Sequence, residues 1–472
     1  MIQLRPYQQK TIQSLRNSMK KGNKRLILCL PTGGGKTVVF SYMISRALEK
    51  GNKCLILTHR TELLTQAGGT LSNFGLTPEI VNPKNKKLDL NKSLYVAMTK
   101  TVLSRIDTLK DWLKTFDFII IDESHLQDFN NLFEFLPDCF VIGATATPER
   151  KGNQLALNSF YQDLINEVSI SDLVNDGFLA QPRSFGVQID LKGIKTKAGD
   201  FDNNQVGEMF DKMQLYEGVS ANLKRYAKNK KTIVFSSNIK SSLTLVNNLN
   251  RNGLNAKHID ATSKDREQLI KWFKNTPDAI LSNVGILTAG FDEPTIECVV
   301  LYRATKSLPL FLQMVGRGSR VTGNKKEFII LDFGNNIQRH GFWEDLREWS
   351  LEKKAKKEGL APVKNCKCDA IIHASLMVCP YCGYEFPKKI IDPQMVILEE
   401  IKKKDLNLYN HYLKFIKLEK KAKEKGFKQG WVVWQLKTIE ELKAYQKFKN
   451  YHYLWLEKIK SKHPAFSTFT TK

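Results

Sequence analysis

Short runs of almost unbroken apolar residues, separated by segments of helical periodicity, dominate the first 345 residues. The runs fall at 25–30, 53–58, 93–98, 116–121, 139–144, 231–236, 278–282, 296–302 and 326–332. Runs of this length and character suit strands buried on both faces of a parallel sheet. Amphipathic segments at 37–49, 61–73, 240–251, 264–274 and 308–316 supply the crossover helices that parallel strands require. The alternation runs to about residue 170 and resumes from about 215, with a less regular stretch near 180–215 between. The expectation is an α/β chain with two tandem parallel-sheet lobes. No internal sequence repeat accompanies the doubling.

The remainder reads differently. The 472 residues carry 73 Lys+Arg against 48 Asp+Glu, a net charge of +25. Of these, 27 basic and 14 acidic residues lie in 346–472, so about half of the excess falls in little over a quarter of the chain. Five of the seven tryptophans lie there or just before it: Trp343, Trp349, Trp431, Trp434 and Trp455. These shifts mark a boundary near residue 345. A hydrophobic content of 42% excludes a disordered chain. No apolar run approaches a bilayer span, and MIQLRPYQQK lacks the pattern of a signal peptide. The expectation is therefore a cytoplasmic protein without a membrane partner. A strongly basic protein of this kind most often faces a polyanion, by default nucleic acid.

Two segments carry the chemistry of a nucleotide site. PTGGGKT, residues 31–37, follows one apolar run and opens a helix. Gly33, Gly34 and Gly35 let backbone amides close on phosphate oxygens, and the helix N-terminus adds a favourable dipole. Lys36 would reach the β- and γ-phosphates of ATP, and the Thr37 hydroxyl would ligate Mg²⁺. The general pattern places a glycine where this chain has Leu30. The second segment, IIIDESH at 119–125, ends a very apolar strand. Asp122 and Glu123 thus emerge at a carboxyl edge, where open α/β sheets bind ligands. Asp122 would hold Mg²⁺ through water, and Glu123 would orient or deprotonate the attacking water. LRPYQ at 4–8 places Gln8 where its amide could pair with adenine.

Other segments follow in a fixed order: THRTELLTQ (58–66), AMTKT (97–101), GATATP (143–148), IVFSSNI (233–239), LTAGFDEP (287–294) and QMVGRGSR (313–320). Together with the phosphate loop and DESH they resemble the motif series of superfamily 2 DExH-box helicases. LRPYQ with a DExH box is more similar to the DNA repair, recombination and branch-migration members than to the DEAD-box RNA helicases. Type I and III restriction motors share much of this core. The resemblance implies two RecA-like, P-loop lobes over residues 1–175 and 176–345, with ATP in the cleft between them. It implies that Gln8 reads adenine and that Gly290 and Asp292 line the cleft. Arg317 and Arg320 would reach from the second lobe to the γ-phosphate, where a fixed fork of donors meets developing charge. Thr145, Thr147 and Gln313 would couple the lobes. Thr58, Arg60, Thr99 and Ser236 would grip the nucleic-acid backbone.

In the tail, 346–358 and 393–425 read as Lys-rich helices, with a last helix around 438–461. Between the first two lie Cys366, Cys368, Cys379 and Cys382. CPYCG is the pattern of a zinc knuckle, and four thiolates form a common structural set for Zn²⁺. CKC has one residue between cysteines where two to four are usual, and His373 is an alternative ligand. The expectation is a Lys-rich helix and a four-cysteine zinc ribbon over 346–392, then a basic helical tail over 393–472. GFKQGW at 426–431 resembles a segment that follows such ribbons in helicase-like proteins of phage and bacterial genomes, which implies the cytoplasm of a bacterial or phage-infected host cell. The functional expectation is an ATP-dependent DNA helicase or translocase acting on forked, branched or duplex DNA. A duplex translocase that leaves strands paired, an RNA helicase and an ATPase-deficient nucleic-acid-binding scaffold remain the alternatives.

Overall fold

A computed structural model describes residues 4–59, 71–72, 74–85, 88–150, 154–187, 189–288, 290–352, 363–365, 371–373, 383–384, 399–400, 415, 418, 431–436 and 445. The chain forms two compact units, one of Met1–Ala355 with Pro393–Glu400, the other of Lys356–Asp392 with Ile401–Lys472.

The first unit holds two seven-stranded sheets. Sheet one contains β1 (Arg25–Cys29), β2 (Cys54–Thr58), β3 (Glu79–Val81), β4 (Leu94–Met98), β5 (Phe118–Asp122), β6 (Phe140–Thr145) and β7 (Asp163–Ile165). Their order is β3-β4-β2-β5-β6-β1-β7, and every pairing is parallel. Sheet two follows β8 (Gln181–Gly186) and a small hairpin, β9 (Thr196–Lys197) with β10 (Asp200–Phe201). It adds β11 (Thr232–Ser236), β12 (Ala256–Ile259), β13 (Ile280–Asn283), β14 (Cys298–Tyr302) and β15 (Glu327–Asp332). The order here is β12-β13-β11-β14-β15-β8, again parallel. All nine apolar runs became strands, and the inner ones are buried throughout: β2, β11 and β14 at every position. Cys29, Cys54, Cys139 and Cys298 are buried among them as small hydrophobes.

In the second unit, β16 (Val363–Asn365) pairs antiparallel with β17 (Ile371–His373). Phe415, Val432 and Tyr445 are buried together, with the Phe415 and Tyr445 rings edge to face at 5.1 Å. Trp431 packs against them, in the short helix Trp431–Trp434. No described helix is long and apolar enough to cross a membrane.

Three sequence expectations change. The stretch near 180–215 is not irregular: it supplies β8, inside the second sheet, and the helix Asn203–Lys212. QPRSFG escaped notice because its burial alternates and Pro182 interrupts its apolar character. Over its described part, 346–352, the expected Lys-rich helix does not form. The chain there returns across the first lobe, where the Asn158 amide donates to Leu351 O at 3.1 Å and Leu351 packs on that lobe's core. The Arg347 guanidinium holds this bend by donating to the carbonyls of His340, Phe342, Trp343 and Asp345. Within the expected helix 393–425, Glu399–Glu400 instead forms β18, antiparallel to β8. The open edge of β8 offers backbone partners that a helix would leave unused.

Candidate nucleotide site

The phosphate loop leaves β1 and enters α2 (Lys36–Leu48) through glycines that the backbone requires. Gly33 and Gly35 lie at φ 85° and 78°, the left-handed region that side chains disfavour. A Cβ on Gly35 would stand 2.5 Å from Gln8 Nε2. The helix α1 (Pro6–Lys20) therefore lies directly on the loop. Its Tyr7 hydroxyl donates to Gly34 O at 2.9 Å, and the Gln8 side chain accepts from Arg5 N at 3.0 Å.

At the carboxyl edge of β5 the two acids stand side by side. Lys36 Nζ lies 3.4 Å from Glu123 Oε1, and both side chains are largely buried. Glu123 Oε2 is also buried, 3.4 Å from His125 Nδ1, and accepts no hydrogen bond. Glu123 adopts φ 52°, an uncommon conformation for a residue with a side chain. Burial, followed by the neighbouring Glu123 charge, pushes the Asp122 carboxyl up to about 7. Burial opposes the Glu123 charge too, but Lys36 above all holds its carboxyl below the usual range. Two buried carboxyls with one lysine between them lack positive charge, which is what a divalent cation supplies. Thr37, at the second position of α2, and Asp122 are the residues suited to hold Mg²⁺.

Thr145 and Thr147 connect to this pair. His125 Nδ1 lies 2.8 Å from Thr145 Oγ1, and that oxygen accepts from Thr147 N at 3.0 Å. Burial lowers the pKa of His125, which suits a neutral ring accepting the Thr145 proton. One residue beside this network escaped the sequence reading. Arg150, 7% exposed, donates to Ser124 O, His125 O and Leu126 O at 3.1–3.3 Å, and to Leu155 O at 3.3 Å. The guanidinium clamps the loop that follows the acids. The signal was a lone arginine two residues after GATATP.

The second lobe meets the phosphate loop through its residues 313–320. A Cβ on Gly33 would meet Leu179, Ser319 and Arg320, and one on Gly316 would lie 2.7 Å from Thr32. Arg320 is thus brought to the loop. It is ion-paired with Asp292, and burial lowers its pKa to about 10, so it stays charged at neutral pH. Arg317 is bonded inside its own lobe. Its guanidinium donates to Thr288 O at 2.7 and 3.2 Å and to Phe291 O at 2.5 Å. It fastens the segment containing Gly290, which lies at φ 72°. Gln313 lies half-buried in the helix Leu308–Val315.

The expected nucleic-acid contacts fare differently. The side chains of Thr58, Thr99 and Ser236 are buried. Thr99 Oγ1 donates to Thr58 O at 3.1 Å, and Ser236 Oγ lies 2.9 Å from Ser282 Oγ. The Thr99 and Ser236 hydroxyls bond within their own lobes, and the Thr58 hydroxyl is buried without a hydrogen bond, so none faces a solvent groove. Arg60 lies outside the described residues. So do Cys366, Cys368, Cys379 and Cys382. Among the described residues no cluster of three or more His, Cys, Asp or Glu side chains could hold a metal.

Known proteins share this arrangement. Residues 1–150 match the family model for the type III restriction enzyme res subunit, and 214–322 match the helicase conserved C-terminal domain. The chain is 32% identical to the putative ATP-dependent helicase IRC3 of Saccharomyces cerevisiae, over 70% of this chain and 51% of that protein. It is 30% identical to a 51.5 kDa protein of a Lactococcus phage, over 75% and 77% of the two chains. A fragment of a putative HsdR subunit of a type I restriction enzyme from Vibrio vulnificus superposes with a TM-score of 0.56. It is 24% identical, over 71% of this chain and 65% of that one. The chain spans about half the length of its yeast relative. With two parallel-sheet RecA-like lobes, a phosphate loop and a DESH edge, the chain belongs to the superfamily 2 helicases.

Proposed function

We propose that the chain is an ATP-driven DNA translocase that remodels forked or branched DNA, of the DExH repair and recombination type. The observation that carries the motor is the Lys36–Glu123 pair under a phosphate loop that Arg320 of the other lobe approaches. In this reading Gln8 reads adenine, and Lys36 leaves Glu123 for the β- and γ-phosphates when ATP enters. Glu123 then turns its buried, unpartnered Oε2 to the attacking water. Mg²⁺ held by Thr37 and Asp122 would neutralise phosphate charge. Arg320 exchanges Asp292 for the γ-phosphate, and Asp292 becomes available to the nucleotide sugar. Thr145 and Thr147 carry the state of Glu123 to the lobe interface through His125. Closure on ATP and reopening on product release move one lobe past the other, a hinge motion around a ligand.

DNA is favoured over RNA because LRPYQ with a DExH box resembles the DNA repair and recombination members of the superfamily, and residues 1–150 match the type III restriction enzyme res subunit. Of the cysteines, Cys366, Cys368, Cys379 and Cys382 are proposed to bind one structural Zn²⁺ in the tail. The domain boundaries proposed from sequence, at 175, 345 and 392, divide motor, ribbon and basic tail. The deciding experiment measures ATP turnover with single-stranded, duplex, forked and four-way DNA, and with RNA. Forked or four-way DNA should stimulate most. Stimulation by RNA alone would overturn the DNA assignment. For the tail, Cys379→Ser should release one zinc per chain, measured by elemental analysis, and a metal-free native protein would refute the ribbon.

A further inference from the structure

A second basic site lies outside the nucleotide cleft. At the amino-terminal edges of β11 and β14 is a cavity of about 430 Å³, lined only by residues of the second lobe. Lys231, Lys274 and Lys325 line it, with Glu297 as the one acid on the wall, Thr322, and Thr295, whose hydroxyl donates to Glu293. The acid is already engaged. Glu297 lies 3.0 Å from Lys230 Nζ, and it accepts from Lys231 N at 3.4 Å. Lys231 is buried, Lys325 half-buried and Lys274 exposed at the rim, and the buried Glu293 stands near the first two. Lys231 is 4% exposed, and its ammonium donates to Lys274 O at 2.7 Å. Lys325 Nζ donates to Pro294 O at 3.0 Å. Burial pulls the Lys325 pKa down to about 8, with Glu297 and Glu293 acting against it and Arg320 adding to it. Each ammonium has three donors, and Lys231 and Lys325 each give one to a carbonyl. The volume falls within the range of small-ligand pockets, about 300–1,000 Å³.

We propose that this cavity binds a small polyphosphate anion, such as an inorganic polyphosphate or the phosphate chain of a free nucleotide, between Lys231, Lys274 and Lys325. Lys230, Lys231, Lys274 and Lys325 face Glu297 and the nearby Glu293, four positive charges against two negative, and the anion supplies the balance. The site also touches the motor. Pro294, which Lys325 holds, lies two residues from Asp292, the partner of Arg320. Thr322, on the cavity wall, bridges Lys325 two residues after Arg320. An anion that draws Lys325 away loosens both segments at once.

The proposal is separable from the nucleotide site because no residue of the first lobe lines the cavity. The test is calorimetric titration of the full chain with inorganic tripolyphosphate in a Lys36→Ala background, which disables the phosphate loop. One site should remain, weakened at least tenfold by Lys274→Glu and by Lys325→Gln. Neither side chain is fully buried, and unchanged melting temperatures would confirm that both variants fold. If Lys36→Ala removes all binding, the second site falls while the phosphate-loop assignment stands. Binding unchanged by Lys274→Glu and Lys325→Gln would also overturn it. Displacement of tripolyphosphate by a twelve-residue oligothymidylate at equal phosphate concentration would assign the cavity to a nucleic-acid backbone and overturn the small-anion reading.

Discussion

The two lobes share one architecture and treat their strand ends in opposite ways. At the end of β5 the first lobe buries two carboxyls beside one lysine, leaves Glu123 Oε2 without a partner and holds Glu123 at φ 52°. At the ends of β11 and β13 the second lobe buries Ser236 and Ser282 in a satisfied chain. Ser282 Oγ lies 2.7 Å from Ser242 Oγ, which lies 2.7 Å from His258 Nδ1, and His258 Nε2 lies 2.9 Å from Asp260. The first arrangement tolerates unmet charge and strain, which is where a ligand finds its binding energy. The second leaves nothing for a ligand to satisfy. Fold alone therefore does not say which strand end is a site; the unsatisfied group does.

The largest test of this contrast is the arginine pair. If Arg320 acts on the transferred phosphate, Arg320→Ala should lower kcat by about 1,000-fold or more, with ATP affinity little changed. Arg317→Ala should act on stability instead. It strips three hydrogen bonds from the Thr288 and Phe291 carbonyls and should cost about 3 kcal/mol in chemical unfolding. Equal losses of kcat with unchanged stability would erase the distinction. Glu123→Gln should lower kcat by about 100-fold or more while leaving DNA binding intact, since it removes a base and not a fold contact. Unchanged turnover would remove Glu123 from the site.

A smaller effect is expected from protons. Burial raises Asp122 from 3.8 to about 7, so the folded, nucleotide-free enzyme keeps it protonated below neutrality. Mg²⁺ competes with that proton. The Mg²⁺ concentration for half-maximal turnover should therefore rise as pH falls from 8 to 6. The same shift has a cost for the fold. A carboxyl whose folded pKa is raised destabilises the native state progressively above its unfolded pKa, and fully above about 7. Asp122→Asn should thus raise Tm at pH 8 and change it little at pH 4. A Tm change independent of pH would deny the buried charge.

The legible part of the molecule was the part where local pattern and tertiary role agree. Inner strands such as β2 and β14 are buried on both faces, so their sequences must be apolar throughout. The phosphate loop is legible because positive φ at Gly33 and Gly35 restricts the residue type. Partners set by long-range contact were not legible. β8 carries Pro182 and polar residues, and only β15 and β18 beside it make it a strand. Arg150 reads as an ordinary surface arginine until the Ser124, His125 and Leu126 carbonyls are folded onto it. Thr58, Thr99 and Ser236 read as nucleic-acid contacts only from their places in the motif series. Burial of the hydroxyls depends on the neighbouring strand, which sequence position does not reveal.

The smallest expected effect bears most directly on the contrast between the lobes. Ser282 sits at the middle of the satisfied chain, fully buried between Ser236 and Ser242. Ser282→Ala removes one oxygen and leaves two neighbouring hydroxyls to find other partners. A hydrogen bond lost in this way costs about 1 kcal/mol. Ser242 keeps His258 as its partner, so the loss is shared with an existing bond. If the chain only holds β13 against β11, stability should fall by that amount and kcat and DNA-stimulated turnover should not move. If turnover falls tenfold while stability holds, the second lobe's strand ends also take part in the cycle. The satisfied network would then be a switch read by nucleic acid, and the division between a charged lobe that reacts and a neutral lobe that only supports would be wrong.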